Sequence, residues 1–258
     1  MASPLTQPGL LAVAWPDVPG VDIHARYHSE CRGGDFFDVF TVGGRVLFLL
    51  TDVAGDRSNA LAVMLEAQHV FRLTSQEVFA RSEVNESDGI AELAHAVNLA
   101  LIEAAEGVRF SPTFLGCFNQ ALGILTYCND GNLVALFREG GNVRALQPSG
   151  MPLGLFTHTT FEAVILAFQA NDALLITTKG VIESKRGKEE FGVERVERLL
   201  ADSATVSASE LCDRILHQAY TFAHYSWWHS LWRRGKHDIH QDLTALALVR
   251  RETTTPRS

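Results

Sequence analysis

The run Val46-Leu47-Phe48-Leu49-Leu50-Thr51-Asp52 constrains this chain more than any other stretch. Bounded by Gly43-Gly44 before and Ala54-Gly55 after, it reads as a short strand buried on both faces. It ends on a carboxylate, which is costly to desolvate unless a partner side chain or a metal receives it. A second acid stands upstream in a similar setting, Asp35 of Gly33-Gly34-Asp35-Phe36-Phe37-Asp38. If residues 35–42 and 45–53 pair as a hairpin through Gly43-Gly44, Asp35 and Asp52 fall at the same end of the ladder. Two converging carboxylates fit a cation site, and they fit a pair of capped or salt-bridged acids as well. The residues alone leave both open.

Composition removes some classes of function. A net charge of −8 over 258 residues argues against general binding to the phosphate backbone of nucleic acids. No apolar run reaches the roughly 20 residues of a membrane span, and Leu10–Trp15 lacks the basic flank and cleavage site of a secretory signal. Cys31, Cys117, Cys128 and Cys212 are scattered without CxxC spacing, as expected of reduced thiols in a cytoplasmic protein. The histidines do not pair with acids at i,i+4 helical spacing, and His237 and His240 flank a polar loop.

Along the chain, residues 1–20 carry four prolines and should run as an extended lead-in. A first strand is expected over 22–30, followed by the Gly43-Gly44 hairpin. The spacing of Leu61, Met64, Leu65, Val70 and Phe71 predicts a helix over 58–80, capped by Asp56 or Ser58. A second helix is expected over 90–105, capped by Ser87 or Asp88. Strand pairs follow over 114–118 with 123–128, and over 133–138 with 143–146, the latter turning at Glu139-Gly140-Gly141-Asn142. A further pair is expected over 161–168 and 173–178. Helices over 193–200 and 209–225 precede a closing strand over 243–249. Ser184–Glu190, with both charge signs mixed, reads as a solvated loop. Strands in runs and helices in pairs indicate an α+β fold with antiparallel sheets and helices outside them. One domain is expected over 21–251, with a polar tail at 252–258.

Several stretches, taken in order, resemble one family. They are Leu11–Glu30, Gly33–Asp38, Thr51-Asp52-Val53-Ala54-Gly55, Tyr127–Asn132, Met151-Pro152-Leu153-Gly154, Thr178–Glu183, Phe191-Gly192 and Gln241-Asp242-Leu243-Thr244. The set is similar to the metal-dependent protein phosphatases (PPM), in the bacterial sporulation-protein-E branch of serine phosphatases. The resemblance implies an α-β-β-α sandwich, two antiparallel sheets flanked by helix pairs. It also implies hydrolysis of phosphoserine and phosphothreonine with two Mn²⁺ or Mg²⁺ ions that activate water. By motif, Asp35 and the bridging Asp52 match metal ligands, joined by the Val53 carbonyl, and Asp38 matches an acid that orients metal-bound water.

The sequence departs from that family where the second metal would be held. Lys179 stands in place of the Asp of the Thr-Asp-Gly motif, and Gln241 in place of the first Asp of Asp-Asp-x-Thr. Losing two carboxylates while gaining an ammonium nearly balances the charge of one missing divalent ion. The centre is therefore expected to be degenerate, with one weakly bound ion at most, or none. Asp242 and Asp238 are the candidate compensating acids; Asp242 neighbours Gln241, and adjacent strand residues face opposite sides. Asp56-Arg57 and Asp130-Gly131-Asn132 depart from the family pattern more mildly. Two expectations follow: a weak single-metal phosphatase, or a pseudophosphatase that binds a phosphoprotein without turnover. A phosphorylated regulator of an anti-sigma factor is the partner the resemblance implies, and with no sensor segment ahead of the domain, regulation is expected from a separate chain. Tyr225–Lys236 joins three tryptophans to a basic cluster, read either as a helix end packing its indoles or as a docking surface.

Overall fold

The computed structural model describes residues 13, 15–28, 34–53, 57–81, 83–105, 110–204, 206–224 and 241–251, with the backbone alone at 57–59. The Tyr225–Lys236 segment, His237, Asp238, His240, Asp56 and Cys31 lie outside the described residues.

The hairpin forms as its sequence requires. Strands β2 (Asp35–Val42) and β3 (Arg45–Asp52) pair antiparallel through Gly43 and Gly44. Both glycines have positive φ, 56° and 76°, the twist that a two-residue hairpin needs. β3 then pairs with β4 (Thr113–Asn119), β4 with β5 (Ile124–Asp130), and β5 with β8 (Val164–Ala167), giving one five-stranded antiparallel sheet. The second sheet runs in the order β1 (Val21–His28), β12 (Leu243–Arg250), β9 (Ala173–Thr177), β6 (Val134–Glu139), β7 (Asn142–Ala145).

The sheets stack face to face, and alternation along each strand sorts the side chains into separate cores. In β3, Val46, Phe48 and Leu50 point between the sheets, while Leu47 and Leu49 face a helix pair, α1 (Arg57–Phe79) and α2 (Glu86–Ala104). Stacked rings fill the space between the sheets: Phe48 on Phe114 at 6.0 Å, and Phe114 on Tyr127 at 5.2 Å. The second sheet buries its outer face under α3 (Lys179–Ile182), α4 (Val193–Ala201) and α5 (Ala208–His224). The result is the expected α-β-β-α sandwich of class α+β. No helix among the described residues is long and apolar enough to cross a membrane.

Three local expectations are corrected. The stretches 161–168 and 173–178 do not pair with each other: β8 is an exposed edge of the first sheet, and β9 lies at the centre of the second. Buried Phe168 packs against Phe118 and Phe137 between the sheets, so the chain crosses there rather than turning back. Helix α2 begins earlier than expected, because the Asn85 side chain accepts the amides of Ser87 and Asp88 and caps it instead of either of them. Part of Ser184–Glu190 is a small ribbon, β10 (Lys185–Arg186) against β11 (Glu189–Glu190), with Lys185 facing Glu190 and Arg186 facing Glu189. The lead-in is also attached: Val13 and Val18 pack on the inter-sheet core, and Trp15 stacks on His24 at 4.1 Å.

Candidate metal centre

The register sets Asp35 directly opposite Asp52, so both carboxylates share the inter-sheet face at one end of the first sheet. The second sheet meets them with two hydroxyls. Thr178, at the end of β9, donates to Asp35 Oδ2 at 2.7 Å, and Thr244 of β12 donates to the same oxygen. One step before β12, on the same side as Thr244, Asp242 accepts the Gly34 N–H at 2.8 Å. The alternation that made Asp242 look misplaced beside Gln241 is what turns it inward. Gln241 points the other way and donates to Glu183 at 3.1 Å.

Electrostatics tie these acids together. Burial, followed by the charge of Asp52, pushes the Asp35 carboxyl well above the ordinary carboxylate range, and the hydroxyls of Thr244 and Thr178 pull it partly back. Burial and then the charge of Asp242 raise Asp52, which the Lys179 ammonium lowers. Lys179 opens α3 between two site residues, Thr178 and Gly180, and its ammonium lies 5.7 Å from the Phe110 ring centroid. Gly180 is pressed against the Asp242 carbonyl: a Cβ there would stand 2.0 Å from that oxygen.

The fit to a cation is partial. In its favour, Asp242 Oδ1 is buried without a hydrogen-bond partner. A Cβ on Gly34 would stand 2.4 Å from the Val53 carbonyl oxygen, so the glycine leaves open the space in front of that carbonyl. Against it, no three His, Cys, Asp or Glu side chains among the described residues are gathered closely enough to enclose an ion.

Asp38 is not brought to this end. It sits on the opposite face of β2, under the helices, where Arg72 of α1 grips its carboxylate at 2.6 and 2.7 Å and the Val39 N–H adds a third bond. The expected water-orienting acid thus stands bonded to α1, and its contacts fasten β2 to that helix. Reading the sequence missed Thr178, Thr244 and the Gly34 amide. The face that Thr244 takes was readable, since Asp242, Thr244, Leu246 and Leu248 alternate along one strand, but the carboxylate it meets was not.

The family model described as stage II sporulation protein E (SpoIIE) matches residues 42–251. Solved structures share the fold. The RsbU and RsbW domains of a Mycobacterium tuberculosis protein superpose with a TM-score of 0.72 at 24% identity, over 94% of this chain and 64% of that one. The phosphatase domain of SpoIIE from Bacillus subtilis, with a fragment of its regulatory domain, gives 0.70 at 16% identity, over 91% of this chain and 63% of that one. The catalytic domain of the serine/threonine protein phosphatase PstP, in complex with two manganese ions, gives 0.58 at 12% identity, over 90% of this chain and 100% of that one. This chain thus spans under two thirds of the Mycobacterium tuberculosis and Bacillus subtilis structures. With the sandwich, the paired acids and the match over 42–251 together, the chain belongs to the SpoIIE family of PPM-type protein phosphatases.

Proposed function

We propose that this domain acts on phosphoserine or phosphothreonine proteins through a single weakly held Mn²⁺ or Mg²⁺, with slow turnover at most. The observation that carries this reading is the pairing of Asp35 with Asp52 on the inter-sheet face, with buried Asp242 beside them. Asp35, Asp52 and the Val53 carbonyl would hold the ion, and Asp242 is the compensating acid. A divalent cation there would supply positive charge for phosphoryl oxygens and a water of lowered pKa. The chain's own residues do the positioning: Thr178 and Thr244 orient Asp35, and the Gly34 amide holds Asp242.

Lys179 and Gln241 stand where a second ion would need carboxylates. PstP was crystallised with two manganese ions, whereas here an ammonium shares the field of Asp52. The pseudophosphatase reading keeps one observation in its favour: Asp35 and Asp242 accept hydrogen bonds from the protein's own hydroxyl and amide. Under either reading the partner is a phosphoprotein, of the kind that regulates an anti-sigma factor.

Titration calorimetry with Mn²⁺ separates these possibilities. One site is expected, lost in Asp52→Ala and weakened in Asp242→Asn; two sites of comparable affinity would overturn the single-ion reading, and no binding would favour the pseudophosphatase. Aryl phosphate hydrolysis by the wild type should stay near background. Lys179→Asp combined with Gln241→Asp should gain Mn²⁺-dependent activity that Asp52→Asn removes, and neither single change should gain much.

A further inference from the structure

The opposite end of the sandwich brings two arginines to one cavity. Eight residues along the chain from Asp242, roughly 25 Å at about 3.3 Å per strand residue, β12 ends at Arg250. There a cavity of about 140 Å³ is lined by Pro19, Gly20, Gln120, Ala170, Arg250 and Arg251. Gln120, whose side-chain amide gives one of its two N–H bonds to the Pro19 carbonyl, comes from the β4–β5 connection of one sheet and Arg250 from the other, so the donors approach from two sides. Among the described residues no carboxylate lines this space.

Arg251 pairs with Asp22 at 2.6 Å. Arg250 has no carboxylate partner among the described residues. Its Nη1 donates to the Phe168 carbonyl, and its guanidinium lies 5.8 Å from the Phe118 ring centroid. A Cβ at Gly123 would stand 2.4 Å from Nη1, so that position is bare where the guanidinium lies. Carbonyl, ring and glycine together fix the fork in one orientation while leaving several of its five N–H donors without a protein acceptor. A guanidinium held partly out of water with no counter-charge is costly unless an anion supplies one. Its planar fork fits two oxygens of one oxyanion.

We propose that this cavity binds one phosphate group, with Arg250 as the fork and Arg251 and Gln120 as flanking donors. Donors arriving from two sides suit a tetrahedral oxyanion better than a flat carboxylate, and the small volume admits one such group. The group is either free phosphate or the phosphoryl of a phosphorylated peptide. It lies at the far end from the metal centre and is independent of it.

The test uses the full chain with EDTA present, so that no metal holds phosphate at the carboxylate end. The Arg250 Nε and Gln120 side-chain amide resonances are followed by NMR during addition of inorganic phosphate at constant ionic strength, and in parallel during addition of a phosphoserine peptide. Saturable shifts are expected, with affinity falling about tenfold in Arg250→Lys, which keeps the charge and loses the fork. A smaller loss is expected in Gln120→Leu, which gives up only one exposed bond to the Pro19 carbonyl and should shift the melting temperature little, so the result does not hang on one variant that might misfold. Tighter binding of the peptide assigns a phosphorylated partner, and tighter binding of the ion assigns free phosphate. Shifts that are linear in phosphate, matched by chloride, or indifferent to both substitutions would overturn the proposal.

Discussion

The two faces of β2 treat their acids differently. On the helix-facing side, Asp38 is fully buried, gripped by Arg72 through two short bonds, and answered by a full opposite charge. On the inter-sheet side, Asp35 is also buried, but it accepts from two hydroxyls and feels the charges of two more acids. Both acids are equally withdrawn from water, so burial alone does not mark a functional carboxylate. The difference is the compensation: Asp38 is met by a guanidinium in direct contact, whereas Asp35 and Asp52 are raised by burial and by neighbouring acids, a rise that the Lys179 ammonium opposes only at Asp52.

Breaking the compensated face should have the largest effect. Arg72→Met strands the Asp38 charge, and losing one partner of a buried pair costs about 3–5 kcal/mol. At roughly 2–4 °C per kcal/mol for a chain of this size, the melting temperature should fall by about ten degrees or more. Asp35→Asn, melted in EDTA, should instead hold or raise the melting temperature, because it removes one of several acids that repel each other. Equal destabilisation by both changes would erase the distinction between the two faces.

Asp130 provides an intermediate case. It ends β5 at the same end of the sheet, and its neighbour is the Ser149 hydroxyl at 2.9 Å, with Oδ2 buried and unbonded. Burial raises its carboxyl to about 6, against the opposing pull of Ser149. For an acid raised on folding, the stabilising contribution is complete below the unfolded pKa near 3.8 and is lost as pH climbs through about 6. Asp130→Asn should therefore stabilise the protein at pH 7.5, by up to about 3 kcal/mol from a shift of roughly two units, and the gain should shrink toward pH 4. A gain that does not change with pH would mean that folding leaves the Asp130 carboxyl at its ordinary pKa.

Much of this was legible before any coordinates. The β2–β3 hairpin could be read because alternation and Gly43-Gly44 act over a few residues, and the pairing of Asp35 with Asp52 follows from that register. The opposite placement of Asp38 was equally readable, since residues three apart on a strand face opposite ways. The motif concealed it by presenting both acids as a unit. The crossing between β8 and β9 was not readable: apolar residues flank Gln169–Asp172 whether the chain turns back or changes sheets, and the choice depends on Phe168 finding Phe118 and Phe137 far away in sequence. Thr178 and Thr244 escaped for the same reason. Each sits more than a hundred residues from Asp35, and only the stacking of the two sheets brings their hydroxyls onto its oxygen.

The smallest expected effect tests the inter-sheet face most finely. Thr244→Val keeps the shape of a fully buried side chain and removes one of the two hydroxyls on Asp35 Oδ2. A single hydrogen bond of this kind is worth about 0.5–1.5 kcal/mol net, so the melting temperature should drop by only a few degrees. The pH dependence carries more information. A hydroxyl donor favours the ionised carboxyl, so its loss pushes Asp35 further above its already raised position. The ionised form then becomes costlier in the folded state, while the protonated form changes little. The variant in EDTA should accordingly lose more stability at pH 8 than at pH 5, and saturating Mn²⁺ should narrow that gap by giving the carboxylate a cation. If the loss is the same at both pH values, Asp35 holds one protonation state throughout, and its hydroxyls serve packing between the sheets rather than poising a carboxylate for a cation.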